Sequence, residues 1–273
     1  MTAWMDELRR RRDYECRLTP DRVLQSIGEA AAFLRDRGML TRTADCALPS
    51  LFEACHEEPY QQGGHGFAGW PATKWSWAGE LADRDDAHML HIHREKNLLV
   101  SDDVLALVDP ICRAELARME QADPGWGRLL RHLADTGPAM TEDIELELGL
   151  KHKELRSLRS PLQRCGALVS RQVIEPAADG SGHVHRSELA RWDHAYPVPA
   201  TGPADVVALL GAGLRAAVLA PERDLIRWFS WRWLLPADVG DQLIDRGLAA
   251  RPAPGWLAAL PAVAVTQPEH MRS

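Results

Sequence analysis

The 273-residue sequence contains no apolar run of about 18 residues, so a membrane span is not expected. Its opening, "MTAWMDELRRRRDYECR", lacks the apolar stretch of a secretory signal. The five cysteines form an odd set with no CxxC pair. That argues against a disulfide framework and favours reduced thiols in the cytoplasm. An excess of positive charge is also missing. The formal net charge is −7, so nucleic-acid binding must rest on a local basic patch. The 45% apolar and 26% charged residues are ordinary for a globular chain of one large domain or two to three small ones.

What is present is helical periodicity broken by short β-prone runs. Thr19-Pro20 predicts a helix entrance, followed by Val23, Ile27, Ala31 and Leu34 at helical spacing and a stop at Gly38. "DCALPSLFEACHEE" predicts a second, shorter helix disturbed by Pro49. "PYQQGGHGFAGWPATK" reads as a loop, and "WSWAGELA" as one or two helical turns. In "HMLHIHREKNLLVS", Met89, His91 and His93 alternate with Leu90 and Ile92, the spacing of a strand. Arg94 to Asn97 can turn and Leu98 to Val100 return. Ser101 then caps a helix with Asp102 and Asp103 in its first turn.

From Trp126 onward three helices follow one another in "GWGRLLRHLADTG", "TEDIELELG" and "KHKELRSLRSPLQRCG". A hairpin then forms from "ALVSRQVIE" and "HVHRSELARW". Helix, helix, helix, hairpin is the order of a winged helix-turn-helix. After the proline-rich "YPVPATGP" the order repeats, ending in the small wing "LAARPAPGWLAAL". The segments "FLRDRGMLTR", "LQRCGALVSR" and "LIDRGLAAR" echo one another, each passing from helix through glycine to strand. The expected fold class is therefore mainly α with short β-hairpins, built as tandem winged helix-turn-helix modules. Residues 1–122 would form an N-terminal module with a degenerate winged helix and the histidine-bearing hairpin. A middle winged helix spans 126–196, a C-terminal one 203–260, and a tail 261–273.

The third helix of the middle module carries the clearest local charge. Lys151, Lys153, Arg156, Arg159, Arg164 and Arg171 oppose only Glu154. Lys151, His152 and Lys153 stand at its N-terminal end, where a recognition helix meets base edges. Leu155, Leu158 and Leu162 lie on the opposite face. His183, His185 and Arg186 sit in the wing, where they can meet phosphates or only water. Pro161 within the helix and the acids Glu142, Asp143, Glu145 and Glu147 on the preceding one weigh against DNA contact.

The last module, "AVLAPERDLIRWFSWRWLLPADVGDQLIDRGLAAR", resembles the tandem winged-helix proteins of the AlkZ/YcaQ class of DNA glycosylases. Asp224-Leu225, Arg227-Trp228 and the helix ending at Gly247 carry the resemblance. "CALPSLFEACHEEPY" and "GWPATKWSW" look like an AlkZ-related branch. The resemblance implies three winged-helix units in a concave DNA-facing body. It also implies hydrolysis of the N-glycosidic bond of an alkylated or crosslinked base, without metal or other cofactor. Characterised members place a water with a Gln-x-Gln pair, which this sequence lacks; Thr41-Arg42-Thr43 occupies the comparable stretch.

His91 and His93, about 7 Å apart by strand rise, are the candidate catalytic pair in place of the glutamines. Metal ligation and a hairpin whose histidines simply face water are the other readings. Trp70, Trp75 and Trp77 can anchor a core or stack on bases. The expected partner is double-stranded DNA, with no membrane; the sequence leaves the oligomeric state open and favours a monomer. A non-enzymatic DNA-binding regulator and a protein-interaction module remain alternatives.

Overall fold

The computed structural model describes residues 3–64, 66–94, 96–176 and 182–260. It is a mixed α/β molecule in which helix predominates and the strands form three small antiparallel sheets. The expected tail, 261–273, lies outside the described residues.

The first helix, α1 (Ala3–Glu15), buries only Met5 and Leu8. The helix predicted from Pro20 starts later. Residues Pro20–Arg22 make one 3-10 turn, and α2 (Ile27–Arg37) opens at Ser26, whose hydroxyl accepts a hydrogen bond from the Glu29 amide. The Glu29 carboxylate reaches back to the Gln25 amide, so the local S-x-x-E chemistry outcompetes the Thr-Pro signal. Strand β1 (Met39–Thr41) follows. "DCALPSLFEACHEE" is not a helix. Backbone bonds from Leu51 and Phe52 to Thr41 and Arg42 fold it back along β1, and one 3-10 turn (Glu53–Cys55) is all the helix it makes. A short α3 (Trp77–Ala82) then leads into the hairpin of β2 (Ala87–His93) and β3 (Lys96–Ser101). The long α4 (Asp102–Ala122) starts where Ser101 predicts, although the Ser101 hydroxyl makes no cap bond.

The next stretch contains α5 (Pro124–Thr136), β4 (Ala139–Met140), α6 (Thr141–Leu148), α7 (His152–Arg164), β5 (Leu168–Pro176) and β6 (His183–Arg191). A one-turn α8 (Trp192–Ala195) follows. Then come α9 (Val206–Ala217), β7 (Leu219–Pro221), α10 (Glu222–Leu225), α11 (Val239–Asp245), β8 (Ala249–Ala253) and β9 (Trp256–Ala259).

The three sheets share one strand order: β1-β3-β2, β4-β6-β5 and β7-β9-β8. Each first strand leaves a helix through the same device. Gly38, Gly137 and Val218 all have positive φ (80°, 83° and 66°), and each donates its amide to a leucine four residues back. Those leucines, Leu34, Leu133 and Leu214, are buried. This corrects the internal echo. "FLRDRGMLTR" passes from α2 to β1, whereas "LQRCGALVSR" and "LIDRGLAAR" pass from α7 to β5 and from α11 to β8. The true counterparts of the first segment are the α5–β4 and α9–β7 turns.

One continuous core joins parts of all three sheets, from Met39 through Leu130 and Leu168 to Leu257. Helix α4 runs through it and contacts α5, α8, α9, β2 and β3. Its buried Asp109 accepts hydrogen bonds from Trp192 Nε1 (2.7 Å), the Ala200 amide (2.9 Å) and Arg113 Nε (2.9 Å). The first helix, α1, lies on the last sheet, with Met5 and Leu8 against Leu219 of β7 and Ala258 of β9. No helix among the described residues is long and apolar enough to cross a membrane.

Candidate functional site

The β2–β3 hairpin is not regular. Leu90 pairs with Leu98 but His93 pairs with Lys96, so one extra residue bulges from β2. The bulge breaks the alternation that would hold His91 and His93 on one wet face. His93 is 1% exposed, whereas His91 is half-buried. Both still line one cleft of about 430 Å³, together with Thr41, Arg42, Thr43, Asp45, Trp70, Lys96 and Asn97.

His93 is held on both sides. Its Nδ1 donates to the carbonyl of Trp228, and its Nε2 stands 3.1 Å from Asp45 Oδ1. Both partners are oxygens, so the ring is fixed between two acceptors. Lys96 Nζ meets the other Asp45 oxygen, and Arg94 lies 3.7 Å from it. Burial pushes the Asp45 carboxyl up, but the hydrogen bonds from His93 and Lys96 outweigh it and hold the group far below the usual carboxylate range.

His91 behaves in the opposite way. Burial, then Arg42, then Arg159 of α7 all push its pKa down, which leaves a neutral imidazole at pH 7. Arg159 also ties the cleft to the basic helix, because α7 packs against β2. The Arg42 guanidinium lies 4.5 Å from the Trp70 ring centroid. Its Nε and the Asn97 Oδ1 are buried without a protein partner. The cleft thus offers a neutral base, an ionised carboxylate, and one donor and one acceptor left unpaired.

Beside it stands a chain of aromatic contacts: Tyr60–Phe67 (5.4 Å), Phe67–Trp70 (4.9 Å) and Phe67–Trp75 (5.5 Å). Tyr60, Phe67 and Trp75 are 54%, 45% and 44% exposed. Trp77 and Trp70 both pack against a second cluster of buried residues, including Leu24, Phe33, Leu34 and Leu81, whereas Trp75 does not. The tryptophan cluster therefore divides into a surface part and a core part.

Asp45, Cys46 and His93 place ligand atoms within 4.8 Å of one another and could hold a metal ion. Against this, both Asp45 oxygens are already paired, and burial pushes the Cys46 thiol up to about 12.

The basic residues fall into three places. Lys151, His152, Lys153 and Arg156 are exposed at the N-terminal part of α7, with His152 Nδ1 2.8 Å from Glu145. Leu155 and Leu162 are buried beneath them, and the helix continues unbroken through Pro161. Arg164 lies at the far end of α7, in a separate pocket. Arg171, His183 and His185 are exposed on the β5–β6 hairpin, where Arg186 lies 3.5 Å from Glu175. Sequence reasoning placed Arg42 only in the stretch comparable to the glutamine pair and gave no role to Asp45, Asn97 or Lys96. Their common feature, contact with a bulged hairpin, leaves no local signature. No protein-family model, no curated protein and no solved structure matches the chain.

Proposed function

We propose that the chain is a double-stranded-DNA-binding repair protein of three winged-helix units, similar to the AlkZ/YcaQ glycosylases. In this reading the cleft hydrolyses the N-glycosidic bond of an alkylated or crosslinked base. The observation that supports it most is the gathering of Thr41-Arg42-Thr43, Asp45 and His91 in one cleft, on a strand against which the basic helix α7 packs. The repeated strand order, each sheet preceded by helices and ending in a hairpin, supports the winged-helix part. The five free thiols suit a reducing compartment, the cytoplasm.

The chemistry follows from the charges. A water oxygen bonds to C1′ of the sugar as the C1′–N bond breaks. Neutral His91 takes the water's proton, and Asp45 stabilises the positive charge that develops on the sugar. A base made cationic by alkylation leaves neutral with the bonding electron pair and needs no acid. His93 and Lys96 position Asp45 and do not touch the reacting atoms. Arg42 offers a donor to a flanking phosphate.

Incubation with duplexes carrying an N7-alkylated guanine or an interstrand crosslink tests this. The expected result is an alkali-labile abasic site, lost in Asp45→Asn and His91→Gln variants that still bind the duplex. A second reading, a non-enzymatic regulator, is favoured by the full engagement of His93 and the absence of the glutamine pair. Sequence-specific binding to an undamaged duplex, with no abasic product from any of these lesions, would establish it instead.

A further inference from the structure

A second pocket, about 590 Å³, opens beyond the tip of the β2–β3 hairpin. That volume falls in the range of about 300–1,000 Å³ common for small-molecule sites. Four guanidinium groups line it, each from a different part of the chain: Arg94 from the hairpin tip, Arg118 from α4, Arg164 from the end of α7, and Arg232 from the segment after α10. None of the lining residues among those described is acidic. The carboxylates that pair with two of these groups lie outside the lining. Glu115 pairs with Arg118 at 2.6 Å, and Asp45, already shared with His93 and Lys96, lies 3.7 Å from Arg94. Arg232 is exposed, and its side chain makes no ion pair among the described residues. An anion entering the pocket would meet the exposed Arg232 guanidinium with the other three beside it, and like charges on one concave surface attract an anion.

The pocket also presents an aromatic surface. Trp233 is 55% exposed, yet its ring is fixed. Its Nε1 donates to Glu115 at 3.3 Å, and the Arg118 guanidinium lies 5.4 Å from its centroid. An exposed indole held from behind in this way has little ordering left to lose when a flat ring stacks on it. Trp126 and Phe229 share the lining, and the Ser230 hydroxyl is buried there without a protein partner.

We infer that this pocket binds a nucleotide, an aromatic ring that carries a phosphate, with the guanidinium forks on the phosphate and Trp233 against the ring. Guanidinium forks match phosphate geometry, and aromatic faces accept any base. The ligand is either a free mononucleotide or a nucleotide within a DNA strand. The site is separate from the His91 cleft and does not depend on hydrolysis there.

The test is titration of the full chain with AMP, adenosine, inorganic phosphate and a five-nucleotide single-stranded DNA. Tryptophan fluorescence and calorimetry provide the readout. AMP or the oligonucleotide should bind at least tenfold more tightly than adenosine or phosphate, and more weakly as salt rises. Arg232→Ala, at an exposed position, should weaken binding about tenfold without changing Tm, and Trp233→Ala should weaken it by a similar factor. Binding of AMP identifies a free nucleotide as sufficient. Binding of the oligonucleotide alone identifies a DNA strand as the source. His91→Gln should leave this binding unchanged, which separates the result from that of the hydrolysis assay. Failure of both AMP and the oligonucleotide to bind, equal binding of adenosine, or full affinity in both variants would overturn the assignment.

Discussion

His91 and Asp45 lie in one cleft and are shifted in ways that keep one neutral and the other ionised at pH 7. The folded His91 releases its proton more readily than an unfolded histidine. Its contribution to stability is therefore full above about pH 6.5 and falls as pH drops towards its lowered value. His91→Gln should flatten that part of the stability–pH curve. Arg159→Ala should move the His91 ring titration upward in an NMR pH series, though still below the ordinary value because burial remains. An unmoved titration would mean that Arg159 does not act on the ring. The Asp45 contribution has its own window, full above about pH 4 and lost only in stronger acid. Cys16, Cys55 and Cys165 are pushed up to about 11 by burial, so native thiols should alkylate slowly at pH 8 and quickly in denaturant. What hid this site from the sequence is distance along the chain. His93 meets Asp45 48 residues away and the Trp228 carbonyl 135 residues away. No spacing rule encodes either contact.

Elements were most legible where a single period governs a segment. In α7, Leu155 and Leu162 are buried and Arg156 is exposed, as the 3.6-residue spacing dictates, and β5 and β6 pair over their full lengths. The first unit was hard to read because residues 42–76 separate β1 from α3, and the apolar "CALPSLF" in that span resembles a helix face. The helix-to-strand turns can be tested directly. Gly137 adopts φ 83° and ψ −165°, a region open almost only to glycine, and a Cβ there would touch nothing. Gly137→Ala should therefore cost about 1–3 kcal/mol of backbone strain alone, measured by urea unfolding. On α7, Arg156→Ala should weaken duplex binding and reduce the slope of log K against log salt by about 1. An unchanged slope would remove this helix from the DNA-facing surface.

At the scale of the whole molecule, the shared core and α4 make the three sheets one cooperative body. The buried Asp109 concentrates that dependence, since it joins α4 to Trp192 and to the chain at Ala200. Asp109→Ala would leave Arg113 and the Trp192 indole without their acceptor, at a cost of about 3–5 kcal/mol. Against a typical total of roughly 5–15 kcal/mol, the variant should unfold at a much lower temperature and in one transition. Separate transitions for the middle and last sheets would contradict a shared core. Helices α4 and α9, far apart in sequence, meet in this core, a contact that linker composition does not encode.

The attachment of α1 has a different consequence. Its hold on the last sheet is a small apolar contact, Met5 and Leu8 against Leu219 and Ala258 with Ala253 and Trp256 beside them and the Arg9 guanidinium 5.9 Å from the Trp256 ring; the ion pair between Glu15 and Arg37 ties its end to α2. So small a contact area opens at a fraction of the global unfolding free energy. Amide hydrogens of α1 should therefore exchange with deuterated water well before those of α4 and α9, and sooner still as salt weakens the Glu15–Arg37 pair. Detached, α1 would leave Leu219 and Ala258 of the third sheet in contact with water while the rest of the molecule keeps its shape.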